Sequence, residues 1–221
     1  MPNDTISDLL QKKLDQGREF RDMEIRAAED EETEEMVVEG YATTFNQPYE
    51  LWREPGFVVN EMVDARAFDG CDMSDVIMQY DHEGRVFARM SNGTLTATPD
   101  EHGLKTRAIL GGTEIGRQLY QEIKGGYTNK MSFAFKVEED RREIEENQET
   151  GETSILRIIT KIARLYDVSA VSIPANPATN IAARAYGEGV IAEVKAERQR
   201  AAAEIEAKKK AMARIRIMAQ S

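Results

Sequence analysis

Between residues 36 and 173, β-branched and aromatic side chains come in short bursts, each closed by Gly, Pro, Asn or Asp. No other feature constrains the fold of this chain more. Bursts of roughly four to eight residues are too short for buried helices and read as strands joined by turns. Strands are expected over residues 37–45, 76–80, 94–98, 104–109, 131–137 and 155–173, the last long enough for two strands or one bent one. One stretch breaks the pattern. Ile115, Leu119, Tyr120 and Ile123 fall on a single helical face, and Gly125-Gly126 follows with residues that tolerate left-handed backbone. Residues 138–152, crowded with Glu, Arg, Gln and Asn, read as a solvated hairpin loop. The fold class expected is α+β, with a β-rich, barrel-like, mostly antiparallel core flanked by helices.

The two flanks lack core-forming pattern. Ile6, Leu9, Leu10 and Leu14 recur at helical spacing behind the caps Asn3 and Asp4, and the run from Glu29 to Glu35 then carries six acids in seven positions. Such a density of like charge repels itself. Residues 1–35 therefore read as an N-terminal arm with an acidic linker, residues 36–185 as the folded domain, and residues 186–221, rich in Ala, Glu, Lys and Arg, as a helical tail. The tail is read either as a solvated helix or as a partner-binding one.

The formal net charge of -11 argues against a grip on nucleic acid, which rests on neutralising phosphates. The expected partner is protein. Cys71 is the only cysteine, which excludes an intrachain disulfide and suits a reducing compartment. No apolar run is long enough to span a bilayer and no signal peptide opens the chain, so no membrane association is expected.

Few residues can carry chemistry. His82 follows the apolar Val76-Ile77-Met78 at a strand end, and an imidazole, with an ordinary pKa of about 6.5, can take and return a proton near neutrality. It reads either as a base or as a surface turn residue. His102 has turn residues on both sides and is given no role. Ser132 alternates with Met131, Phe133 and Phe135, so it shares with Ala134 a face where small side chains leave room for a substrate. It is either a nucleophile or a small polar strand residue, with Ser91, Ser154, Ser169 and Ser172 as rivals. Asp167 lies in a run with small or apolar residues on both faces. A carboxylate buried there needs a partner, either an imidazole or a basic residue such as Arg164. The two histidines and one cysteine show no metal-ligand spacing and no glycine-rich phosphate loop is present, so neither metal nor cofactor is expected.

The order of these pieces resembles the prohead (procapsid maturation) serine proteases of tailed bacteriophages, distant relatives of the herpesvirus assembly protease assemblin. The resemblance runs from about residue 39 to 184. It is carried by Glu39-Gly40-Tyr41-Ala42-Thr43-Thr44-Phe45-Asn46, Glu61-Met62-Val63, the strand ending in His82, Gly93-Thr94-Leu95, Met131-Ser132-Phe133-Ala134-Phe135, Asp167-Val168-Ser169 and Pro174-Ala175-Asn176-Pro177. It implies a serine endopeptidase with Ser132 as nucleophile, His82 as general base and Asp167, where the family usually has a glutamate, as the orienting acid. Ala134 departs from a glycine common after the nucleophile, and residues 65–68 lack the usual Pro-Gly turn. The implied substrates are the major capsid protein, the scaffold protein and the chain itself, inside the procapsid in the bacterial cytoplasm. A dimer is a further implication. Residues 175–176 are the guess for the oxyanion-binding loop. Two rivals stand beside this reading: a catalytically silent scaffolding or capsid-interior protein of the same fold, and a metal hydrolase built on Asp81, His82 and Asp167.

Overall fold

The computed structural model describes residues 8–29, 35–172 and 177–218. In chain order these form helix α1 (Asp8–Asp15) and strands β1 (Glu19–Glu29), β2 (Met36–Thr44), β3 (Tyr49–Glu54), β4 (Phe57–Val63), β5 (Ile77–Tyr80), β6 (Glu83–Arg89), β7 (Leu95–Pro99) and β8 (Gly103–Ile109). Helix α2 (Glu114–Lys124), strands β9 (Lys130–Glu146) and β10 (Thr153–Val171) and helix α3 (Pro177–Met218) complete the order. The chain divides into two compact units, Met1–Ala183 and Arg184–Ser221. The second is helical, with Glu204–Lys208 and Arg184–Glu188 pairs one turn apart supporting a charge-rich surface.

The first unit is built on one ten-stranded sheet in the order β3-β4-β10-β9-β1-β2-β8-β7, with β5 and β6 attached through β10. Strand β10 is its axis. On one side it pairs with β9 along the whole hairpin, and on the other it holds β4 over Thr153–Ile159 and then β5 over Asp167–Ala170, both parallel to it. The remaining pairings are antiparallel, so the architecture is α+β and strand-rich as expected. It is not closed into a barrel: β3 and β7 end the path unjoined. The sheet nevertheless curls strongly, because side chains of β1 and β4 meet although β9 and β10 lie between them.

Met131, Phe133 and Phe135 point into the main core, where the two phenylalanine rings stack at 4.5 Å between centroids. Leu119, Tyr120 and Ile123 of α2 join them, as their spacing predicts. Thr113 caps α2 by accepting the N–H of Gly116.

Strands β3, β4 and β6 lie outside the expected strands, and two further parts of the chain differ from the sequence reading. Residues 19–29, assigned to an arm, form β1 inside the sheet between β9 and β2. Met23, Ile25 and Ala27 alternate with Glu24 and Arg26, a strand signal masked by the acids that follow it. Of the acidic run 29–35, Glu29 ends β1 paired with Met36, and residues 30–34 lie outside the described residues. Residues 138–152 are mostly strand rather than loop. Here β9 continues to Glu146, because cross-strand pairing with β10 satisfies its backbone even where side chains on both faces are polar.

Candidate active site

The site is assembled on the face of β9 opposite the core. Strand alternation puts Ser132 and Ala134 there, and both are fully buried. On one flank Phe20 of β1 lies across from Ala134 and Asp22 across from Ser132. On the other flank, Ser169 of β10 lies directly across from Ser132.

Asp167 reaches this face through an irregularity. Leu165 pairs with Phe135 and Asp167 with Ala134, so Tyr166 is the extra residue of a β-bulge. In an unbroken ladder Asp167 would lie across from Phe133 and turn into the core. The bulge shifts the phase by one residue, and Asp167 comes to the side of Ser132 instead.

His82 arrives from the end of β5. Asp81 and His82 are the two central residues of the β5–β6 hairpin, and both take positive φ, 49° and 61°. Such two-residue turns normally use Asn-Gly or Asp-Gly, and a bulkier side chain in left-handed backbone is held by its surroundings. Here the holding groups are visible. The Asp81 N–H donates to Ala170 O at 2.9 Å, and the Asp81 carboxylate accepts the Ser172 N–H and hydroxyl, each at 3.0 Å. The turn is thereby strapped to the end of β10, and the imidazole folds back over the sheet. Its Nδ1 lies 2.5 Å from Asp167 Oδ1, and Phe20 meets its ring edge-on at 4.7 Å.

The same Asp167 oxygen accepts the Ser169 hydroxyl at 2.7 Å. Burial works against charge on Asp167, but His82, Ser169 and the ammonium of Lys13 together hold its carboxyl below the usual range. Lys13, on α1, donates to His82 O. Burial pulls the Lys13 ammonium below its ordinary pKa, against the attraction of Asp167. Among the described residues that form this face, His82 Nε2 and Ser132 Oγ are buried without a hydrogen-bond partner. With Nδ1 turned to a carboxylate, Nε2 is the ring atom free to accept a proton.

Of the sequence candidates, His82 and Asp167 are in direct contact, and Ser132 lies on the same face as Asp167, one cross-strand diagonal away. His82 is wholly buried, not a surface turn residue. Arg164, offered as an alternative partner for Asp167, pairs with Asp72 at 3.3 Å. His102 packs edge-on against Tyr41 at 4.5 Å, away from this face. Residues 175–176, the guess for oxyanion binding, lie outside the described residues. Among the described residues no group of three or more His, Cys, Asp and Glu side chains is placed to hold a metal ion. No described helix is long and apolar enough to cross a membrane.

Sequence reasoning missed Phe20 and Lys13, which belong to the segment read as an arm. It also missed a second buried polar cluster, in which Arg21 and Arg157 share Glu61 and Glu19, Arg157 reaches Asp140, and the Tyr49 hydroxyl donates to Glu61 at 2.5 Å. Its members are scattered over five strands, so only the folded register brings them together.

A carboxylate-braced imidazole beside a strand bearing a buried serine is the kind of arrangement serine hydrolases use for acyl transfer. The chain matches the family model of the Caudovirus prohead serine protease over residues 21–191, well over half its length, and belongs to that family. It is thus a serine peptidase by family, with a role in capsid maturation. Comparison with curated proteins finds no match, and comparison with solved structures finds none.

Proposed function

We propose that this chain is a serine endopeptidase in which Ser132 is the nucleophile, His82 the general base and Asp167 the acid that orients it. The observation that carries this reading is the pair of open buried atoms, His82 Nε2 and Ser132 Oγ, on a face where Asp167 already holds both His82 Nδ1 and the Ser169 hydroxyl. The imidazole takes the Ser132 proton, the oxygen attacks a peptide carbonyl, the protonated ring gives its proton to the leaving amine, and water then releases the acyl group. Asp167 keeps the tautomer and stabilises the imidazolium. A cross-strand diagonal spans roughly 7–8 Å between backbones, a gap that an imidazole projecting from Asp167 toward Ser132 is suited to bridge.

The substrates in this reading are the capsid or scaffold protein and the chain itself, cut inside the immature shell within the bacterial host. Self-association to a dimer belongs to the same reading, on the resemblance to assemblin. The helical tail, residues 186–221, serves retention in the shell. The decisive assay mixes the purified chain with its own coat and scaffold proteins and follows fragments by gel and by mass spectrometry of new termini. Discrete fragments, blocked by a serine-directed phosphonate and unaffected by a chelator, support the serine mechanism. Cleavage blocked only by the chelator supports a metal hydrolase, and no cleavage in assembled proheads supports a silent scaffold protein.

A further inference from the structure

Ser132 and His82 are both entirely inaccessible to solvent. A peptide cannot reach them until some element moves. The strands cannot supply that motion, because their register is what creates the face. Helix α1 is a different case. It is eight residues long, below the roughly 12–15 at which an isolated helix holds together in water, so its helicity depends on what it lies against. Leu10 is its one buried residue. It packs on Phe20 and Ala134, with Leu14 and Tyr166 around it. Lys13 adds the bond to His82 O. Just past the helix, Gly17, with a φ of 75° and open space around it, turns the chain into β1. The family match begins at residue 21, after α1.

The patch under Leu10 has an unusual position. Phe20 touches the His82 ring, and Ala134 is two residues along the same strand face from Ser132. An apolar side chain seated there lies beside both groups. We propose that Phe20, Ala134 and Tyr166 form a substrate subsite for an apolar side chain, and that Leu10 of α1 fills it in the resting protein. The proposal rests on the catalytic reading of Ser132 and His82. Helix α1 is then an internal stand-in for the substrate, with Lys13 as its second tether, and the ligand it yields to is a peptide bearing a leucine-like side chain next to the bond that is cut.

The test is the rate at which a fluorophosphonate labels the full-length chain, read by intact mass. In that reaction the Ser132 Oγ–P bond forms, the P–F bond breaks, fluoride leaves and the serine proton passes to His82. Leu10→Asp should label at least tenfold faster than the natural chain, Lys13→Met should label faster by a smaller factor, and Leu10→Met should keep the natural rate. With α1 released, a peptidyl phosphonate carrying leucine should react at least tenfold faster than one carrying aspartate. Equal labelling of the natural chain and Leu10→Asp, both shown folded by their thermal transitions, overturns the cover. Should Leu10→Asp fail to fold, Lys13→Met decides the same question. Equal rates for the leucine and aspartate probes remove the subsite. Labelling absent from every folded variant, or persisting after Ser132→Ala, overturns the catalytic reading itself, and the subsite with it.

Discussion

Among the described residues, the strand-built first unit holds two buried polar clusters that are finished to different degrees. In the cluster of Glu19, Arg21, Glu61, Arg157, Asp140 and Tyr49, the guanidinium forks meet carboxylates, with contacts of 2.5 to 2.9 Å. In the cluster of Ser132, His82, Asp167 and Ser169, one end is equally well bonded and the other stops at two open atoms. A buried charge needs full satisfaction to be tolerated at all, and breaking such a set leaves the remaining charge stranded. A buried hydroxyl and ring nitrogen left open are far less costly, and they remain available to a reactant. The first cluster ties β1 to β4 across the curl of the sheet. In the proposed mechanism, the second keeps its unused bonding capacity where substrate would arrive.

The contrast can be broken from either side. Ser132→Ala should lower kcat about 10⁶-fold while leaving the thermal transition where it was or slightly higher, since it removes an unsatisfied group; coat-protein cleavage and calorimetry on one preparation measure both. Asp167→Asn should lower kcat by about 10⁴-fold by favouring the wrong tautomer, with the fold kept. Glu61→Ala should do the reverse, removing about 3–5 kcal/mol of stability by stranding Arg21 and Arg157, with activity per folded molecule retained in denaturant-titrated samples. Loss of activity without loss of stability in Glu61→Ala would erase the distinction between the clusters.

Acid sharpens the comparison further. Burial opposes charge on Glu19, but Arg157 and Arg21 push its carboxyl down to about 2. Because the folded value lies below the ordinary one, the stabilisation is fully present above about 4.5 and is lost as the pH falls through about 2. Urea midpoints should therefore decline from pH 5 to pH 2, and less so in Glu19→Gln, which has no proton to gain. Tyr49→Phe is the gentlest probe, expected to cost about 2 kcal/mol as one hydrogen bond to a carboxylate is lost.

What the sequence disclosed follows from how local each signal is. Strands β2, β5, β7, β8, β10 and the start of β9 announce themselves by apolar bursts, and α2 by its single apolar face. Strands β3 and β6 escape notice because charged residues and Gly84 interrupt them, whereas β4, with Phe57-Val58-Val59 behind the Pro55-Gly56 turn, carries the same strand signal and goes unassigned. Ser132 and His82 were legible as an odd polar residue on a strand and an imidazole at a strand end. The partner of Asp167 was not, since two partners fitted the same letters until the register was known. Ser169 stands out in the sequence as a rival nucleophile and as part of the Asp167-Val168-Ser169 motif, but not as a partner of Asp167, to which its hydroxyl is bound. Lys13 and Phe20 depend on a helix and a strand closing over the domain from outside the stretch read as folded.

The extra residue at Tyr166 has one more consequence. Because pleated side chains alternate with strict parity, the extra residue at Tyr166, the last of four register shifts along this hairpin, decides which face carries Asp167. Smoothing that kink, with every residue kept, would drive the carboxylate in among phenylalanines and present Val168 to the imidazole. Lengthening or trimming the distant hairpin by matched pairs would leave the chemistry untouched, so the tip is free to diverge while the few residues around the kink are not.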